Sequence, residues 1–113
     1  MLLNVFERLL LRNIIPQIQG WNYAHMKEAR ELMEGLFTEE EETDLQIEQE
    51  GNQVKWKTEK EDGTPIPQER EILISDGLKV KVGKFLGQLD QQEKLGFEHM
   101  TLYDKFVEDD KPA

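Results

Sequence analysis

The chain has 113 residues and no cysteine; that length suits one domain burying roughly 65% of its unfolded surface, and disulfides, thiolate zinc sites and cysteine nucleophiles are excluded. Aspartate and glutamate number 24 against 14 lysines and arginines, and nine of the acids with no cation lie between Glu31 and Val54, which excludes a nucleic-acid-binding face there and suits a basic partner. No stretch approaches the ~20 apolar residues of a membrane span, and no apolar segment with a small-residue cleavage site opens the chain, so a cytoplasmic protein is expected.

Residues 4–15 read as a first helix. Val5, Phe6, Leu9, Leu10 and Ile14 recur at helical spacing, while Glu7, Arg8 and Arg12 fall largely on the other side. Asn4 followed by Glu7 is a capping-box pattern, and Pro16 ends the helix by lacking an N–H and pushing Ile15 out of helical geometry. Leu11 and Ile15 widen the apolar stripe, so burial on more than one side is expected. The linker Gln17–Gly20 and Trp21 lead to a second helix over 22–35, marked by Met26, Ala29, Leu32 and Met33, capped by Asn22 and stopped by Gly35. Thr38 and Glu41 form another capping box and open a short acidic helix over 39–44. Carboxylates in its first turn suit the positive end of the helix dipole, by about 0.3–1 kcal/mol each.

At Leu45 the period changes to two. Leu45, Ile47, Val54 and Trp56 alternate with polar residues around Gly51-Asn52, which predicts a hairpin of 45–50 with 53–59 that is apolar on one face. Glu48 and Glu50 would face Lys55 and Lys57 across that ladder. A proline-containing loop precedes a third strand over 69–74, through Ile72, Leu73 and Ile74. Asp76-Gly77 is also a hairpin signal, but Leu78, Val82, Phe85, Leu86 and Leu89 follow a spacing that a strand cannot use. A helix over 77–92 is therefore predicted, capped by Ser75 or Asp76 and weakened by Gly77, Gly83 and Gly87. A last helix runs from Phe97 to Val107, with Leu102, Tyr103, Phe106 and Val107 inward.

The residue types that carry chemistry do not assemble into a signature. Glu39–Glu42 with Asp44 lacks the alternating ligands and midpoint glycine of a calcium loop, so a solvated helix start is expected. His25 and His99 stand in no metal-binding spacing, and the sole serine, Ser75, lacks a nucleophile elbow. Glu7 and Glu71 border apolar segments, but nothing pairs them for general acid–base work. Three helices before a hairpin resemble a winged-helix order, yet Glu39–Glu42 occupies the recognition position, which DNA would repel. Trp56 is expected inward, and Trp21, after Gly20, is the aromatic candidate for a partner contact.

The opening Leu3-Asn4-Val5-Phe6-Glu7-Arg8-Leu9-Leu10 running to Ile15-Pro16, the Thr38–Glu42 start and Val54-Lys55-Trp56 resemble a group of small proteins carried by bacteriophages and prophages. Glu71-Ile72 and the closing Leu102-Tyr103-Asp104-Lys105-Phe106 add to the likeness. The resemblance implies a single α+β domain and an accessory role inside a bacterial cell. It carries no activity onto named residues.

The expectation is an α+β domain over 1–108 with a polar tail over 109–113. N-terminal helices precede a small antiparallel sheet, in which the hairpin joins the 69–74 strand, and two C-terminal helices follow. The expected function is non-enzymatic, without cofactor or metal: binding of a host or phage protein through an acidic surface, with Trp21, Glu39, Glu40, Glu41 and Glu42 as contact residues. Two other readings stay open: a nucleic-acid mimic or weak nucleic-acid-directed regulator, and a structural subunit whose first helix pairs between protomers of a homo-oligomer. Direct nucleic-acid binding and membrane association are not expected.

Overall fold

Asn4 sets where the chain changes direction. Its extended backbone continues a short strand, β1 (Leu2–Asn4), while its side chain accepts from the Glu7 amide at 2.8 Å and starts helix α1 (Val5–Ile14). The Glu7 carboxylate accepts in return from the Asn4 amide at 3.0 Å, completing the capping box. Pro16 lies in a single 3-10 turn, Ile15–Gln17, that ends the helix. The computed structural model describes residues 1–51 and 53–108. The expected tail and Asn52 of the hairpin turn lie outside the described residues.

Helix α2 (Tyr23–Gly35) is capped by Asn22, and α3 (Glu39–Leu45) by the Thr38–Glu41 box. Gln46, at φ +46, takes the left-handed conformation that stops α3. Strands β2 (Glu48–Glu50) and β3 (Gln53–Lys55) form the hairpin, with Gln49 opposite Val54. Both are shorter than expected: β2 starts late because Leu45 closes α3 and sits fully buried, and β3 ends at Lys55. The hairpin has no apolar face: β2 is exposed throughout, and in β3 only Val54 is half-buried.

Strand β4 (Glu69–Glu71) corrects the expected sheet. It pairs not with the hairpin but with β1, antiparallel, Leu3 opposite Arg70, so two separate two-stranded sheets replace one of three strands. The cause is Leu3, whose side chain is fully buried and draws the residues before α1 into extended pairing.

Helix α4 (Asp76–Gln91), capped by Ser75, buries Leu78, Val82 and Leu86, so the helical spacing prevails over the hairpin signal. The chain closes with a 3-10 turn at Phe97–His99, α5 (Met100–Tyr103) and a π-helical turn at Asp104–Glu108. Leu102 and Phe106 complete a core that also holds Leu3, Leu11, Leu36 and Val82. Among the described residues no helix is long and apolar enough to cross a membrane.

The face of α1 is the second correction. Glu7 and Arg8, expected outside, are both 0% exposed, whereas Phe6 is 38% exposed. Burying two charges costs several kcal/mol unless each finds partners. Both do.

Candidate interaction surface

The acidic block is built on a buried ionic frame. Arg8 leaves α1 and reaches three other parts of the chain. Its Nη1 donates to Glu41 Oε2 at 2.6 Å and to the Leu36 carbonyl at 3.0 Å, and its Nη2 to the Gln68 carbonyl at 3.2 Å. The guanidinium also lies 4.7 Å from the centre of the Phe37 ring, a cation–π contact. Arg70 approaches from β4. Its Nε donates to Glu41 Oε1 at 3.0 Å, and its Nη2 to the carbonyls of Gly35 and Leu36 at 2.7 and 2.9 Å. Two guanidinium groups thus satisfy the carbonyl end of α2, where cations are favoured.

Glu41 joins these parts. Besides both arginines, its carboxylate accepts from the Thr38 amide at 3.0 Å. Burial opposes its charge, but the Arg8 hydrogen bond, the Thr38 amide and the two cations outweigh it and hold the carboxyl below its ordinary value. Glu7, the residue before Arg8 in the first turn of α1, repeats the arrangement. Its Oε1 accepts from the Asn4 amide and from Lys105 Nζ at 2.8 Å, while Oε2 has no hydrogen-bond partner among the described residues. Burial again raises the carboxyl, and the Asn4 amide, Lys105 and the Thr101 hydroxyl lower it further than burial lifts it. Thr101 favours the charge from nearby, without the geometry of a formed hydrogen bond.

These contacts decide what the expected contact residues can do. Glu41 is turned inward, with its side chain 17% exposed, and its oxygens are occupied by the frame. It mounts the acidic helix, and its carboxylate is engaged within the chain. Glu39, Glu40 and Glu42 are exposed and have no ion pair among the described residues. Three residues apart on a helix, Glu39 and Glu42 share a side, while Glu40 stands about 100° round the helix from Glu39, so the three span the solvent half of α3 opposite Glu41. Elsewhere the block is partly neutralised: Asp44 lies 3.8 Å from Lys60 and Glu50 3.9 Å from Lys55, with Glu48 opposite Lys55 in the ladder.

Trp21 belongs to the α4 side. It is half-buried against the core, with Lys81 Nζ 5.0 Å from its ring centre and donating to the Gly20 carbonyl at 2.9 Å. Trp56 is half-buried, stacks with Phe6 at 6.4 Å and donates to Gln68 Oε1 at 2.8 Å. Ser75 caps α4 and donates to Glu28 Oε2 at 2.9 Å. His25 packs its ring against Gly77, and His99 accepts from the Gly96 amide at 3.0 Å. Among the described residues no group of three or more His, Asp or Glu converges as a metal would require.

Two open depressions accompany the frame. One, of about 490 Å³, lies between α2 and β4 and includes Glu28, Glu31 and Leu73; the other, of about 820 Å³, runs between α1 and the hairpin. A comparison with protein-family models, curated proteins and solved structures returns no match to the chain.

Proposed function

We propose that this protein is a non-enzymatic interaction module that docks a basic surface of a protein partner against its acidic 31–50 region. On the sequence resemblance it acts as a phage accessory protein in the bacterial cytoplasm, and its partner is a host or phage protein. One observation supports the reading above all: Glu41 is consumed in fixing α3, which leaves Glu39, Glu40 and Glu42 exposed on a rigid mount. Exposed Glu31 and Glu34 on α2 extend the same sign of charge. Like charge held in place steers a basic partner to the surface and spares the cost of ordering it on binding.

The test reverses Glu39, Glu40 and Glu42 to lysine and keeps Glu41. Affinity capture from a bacterial lysate is expected to yield a basic protein with the native chain and not with the variant, and the catch is expected to weaken as salt rises. Identical partners on both chains would remove the patch from the function. Displacement of the captured protein by DNA would mark the acidic surface as a nucleic-acid mimic.

A further inference from the structure

The ribbon formed by β1 and β4 has one edge capped and the other open. Ile72 donates its N–H to the Met1 carbonyl at 2.8 Å, so in an antiparallel ladder Leu3 and Arg70 are the next pair to exchange hydrogen bonds. The main-chain groups of Leu2, Glu69 and Glu71 therefore point away from the ribbon. On the β1 side the Leu2 carbonyl is taken by Lys105 Nζ at 2.8 Å. On the β4 side no partner among the described residues reaches the main chain of Glu69, Glu71 or Leu73. An uncovered strand edge is a template for another strand.

That edge borders the cleft of about 490 Å³, whose other walls are α2 and the start of α4. Leu32, Ile72 and Leu78 give it an apolar floor and are buried, while Leu73 at its rim is 92% exposed. Around the rim stand the exposed carboxylates of Glu28, Glu31 and Glu71. Glu28 accepts from Ser75, Glu71 pairs with the Met1 ammonium, and Glu31 has no ion pair among the described residues. The single cation of the lining, Arg70, is already held by Glu41 and by two carbonyls.

We propose that β4 takes up an extended segment of another protein as an added strand, with lysines or arginines alternating with apolar residues. Apolar side chains would share the face of Ile72 and cover Leu32 and Leu78. The cations would share the face of Glu69 and Glu71 and meet those two exposed carboxylates. Charge selects this occupant over a second copy of the chain. Two β4 edges paired with each other would set Glu71 and Glu69 among like charges, whereas a basic strand supplies the opposite sign. The cleft shares Glu31 with the acidic region but none of Glu39, Glu40 and Glu42, so the reversal of those three and the peptide titration can fail separately.

The probe is a fluorescein-labelled heptapeptide of alternating lysine and valine, titrated against the native protein and followed by fluorescence anisotropy. Saturable binding with a dissociation constant on the order of 10–100 µM is expected. Amide exchange at Glu71 and Leu73 is expected to slow in the complex. N-methylation of the residues facing β4 is expected to weaken binding by at least about tenfold, since it removes the ladder hydrogen bonds and leaves the charge. Glu69→Lys with Glu71→Lys is expected to cost roughly tenfold, and lysines at Glu39, Glu40 and Glu42 to leave Glu71 and Leu73 protected. The proposal is overturned by an absence of saturable binding, by equal affinity for the methylated peptide, or by protection that appears elsewhere. A dimer of the native chain with Glu71 and Leu73 already protected would overturn it too, by assigning the edge to a second copy.

Discussion

Glu7 and Glu41 each serve twice, once in a capping box and once in a buried ion pair. The first role is local and is written at a spacing of three residues. The second joins positions 33 residues apart for Arg8 and Glu41, and 98 apart for Glu7 and Lys105. No periodicity encodes such a partner, so the boxes were readable and the frame was not. Arg8 was misplaced for the same reason: a charged residue is assigned to water until its partners are known. Glu41→Ala, which leaves Arg8 buried without its carboxylate, is expected to lower stability by about 3 kcal/mol in urea unfolding. Glu40→Ala, two positions from the helix start and exposed, is expected to change it by less than about 1 kcal/mol. Acid acts through the same pair of glutamates. Both carboxyls lie below their ordinary 4.5 in the folded chain, so the stability they contribute is complete above that value. It drains as pH falls through the lower folded values. Glu41→Gln is expected to start from lower stability at neutral pH and to lose less of it on acidification below 4.5.

At the level of elements, the three glycines of α4 are not equivalent. A methyl group at Gly77 would meet His25 Nε2 at 3.0 Å, and one at Gly83 would meet the Phe106 carbonyl at 3.2 Å. Both mark places where another element comes close to the helix. Gly87 has open space around it. Gly87→Ala is therefore expected to raise stability by up to about 1 kcal/mol through helix propensity alone, and Gly83→Ala to lower it, both read as shifts in the urea midpoint. The helix itself was legible because Leu78, Val82 and Leu86 outweigh its glycines. The pairing of β1 with β4 was hidden, since three residues are too few to show a period. The hairpin was found from its turn and its alternation, but those signals do not say how much of it the core covers.

For the molecule as a whole, the α+β class and the order of helices followed from patterning, while the division into two small sheets depended on contacts distant in sequence. The expected contact residues divide likewise: Glu39, Glu40 and Glu42 are exposed as foreseen, Glu41 is enclosed, and Trp21 rests under Lys81. A formal net charge of −10 spread unevenly over this surface implies self-repulsion. Raising sodium chloride from about 20 to about 200 mM is expected to lift the melting temperature by a few degrees, because exposed repulsion is screened more than the enclosed Arg8–Glu41 pair. A fall in melting temperature over that range would show that attraction between surface charges dominates instead.

Lys105 ties the last helical turn to the Leu2 carbonyl and to the Glu7 carboxylate. That closure joins positions 98 residues apart, so Glu7 is buried with its counter-ion only when the last described helical turn has docked. Resistance of the refolded protein to protease is therefore expected to depend on this contact, and a Lys105→Met chain is expected to acquire it incompletely.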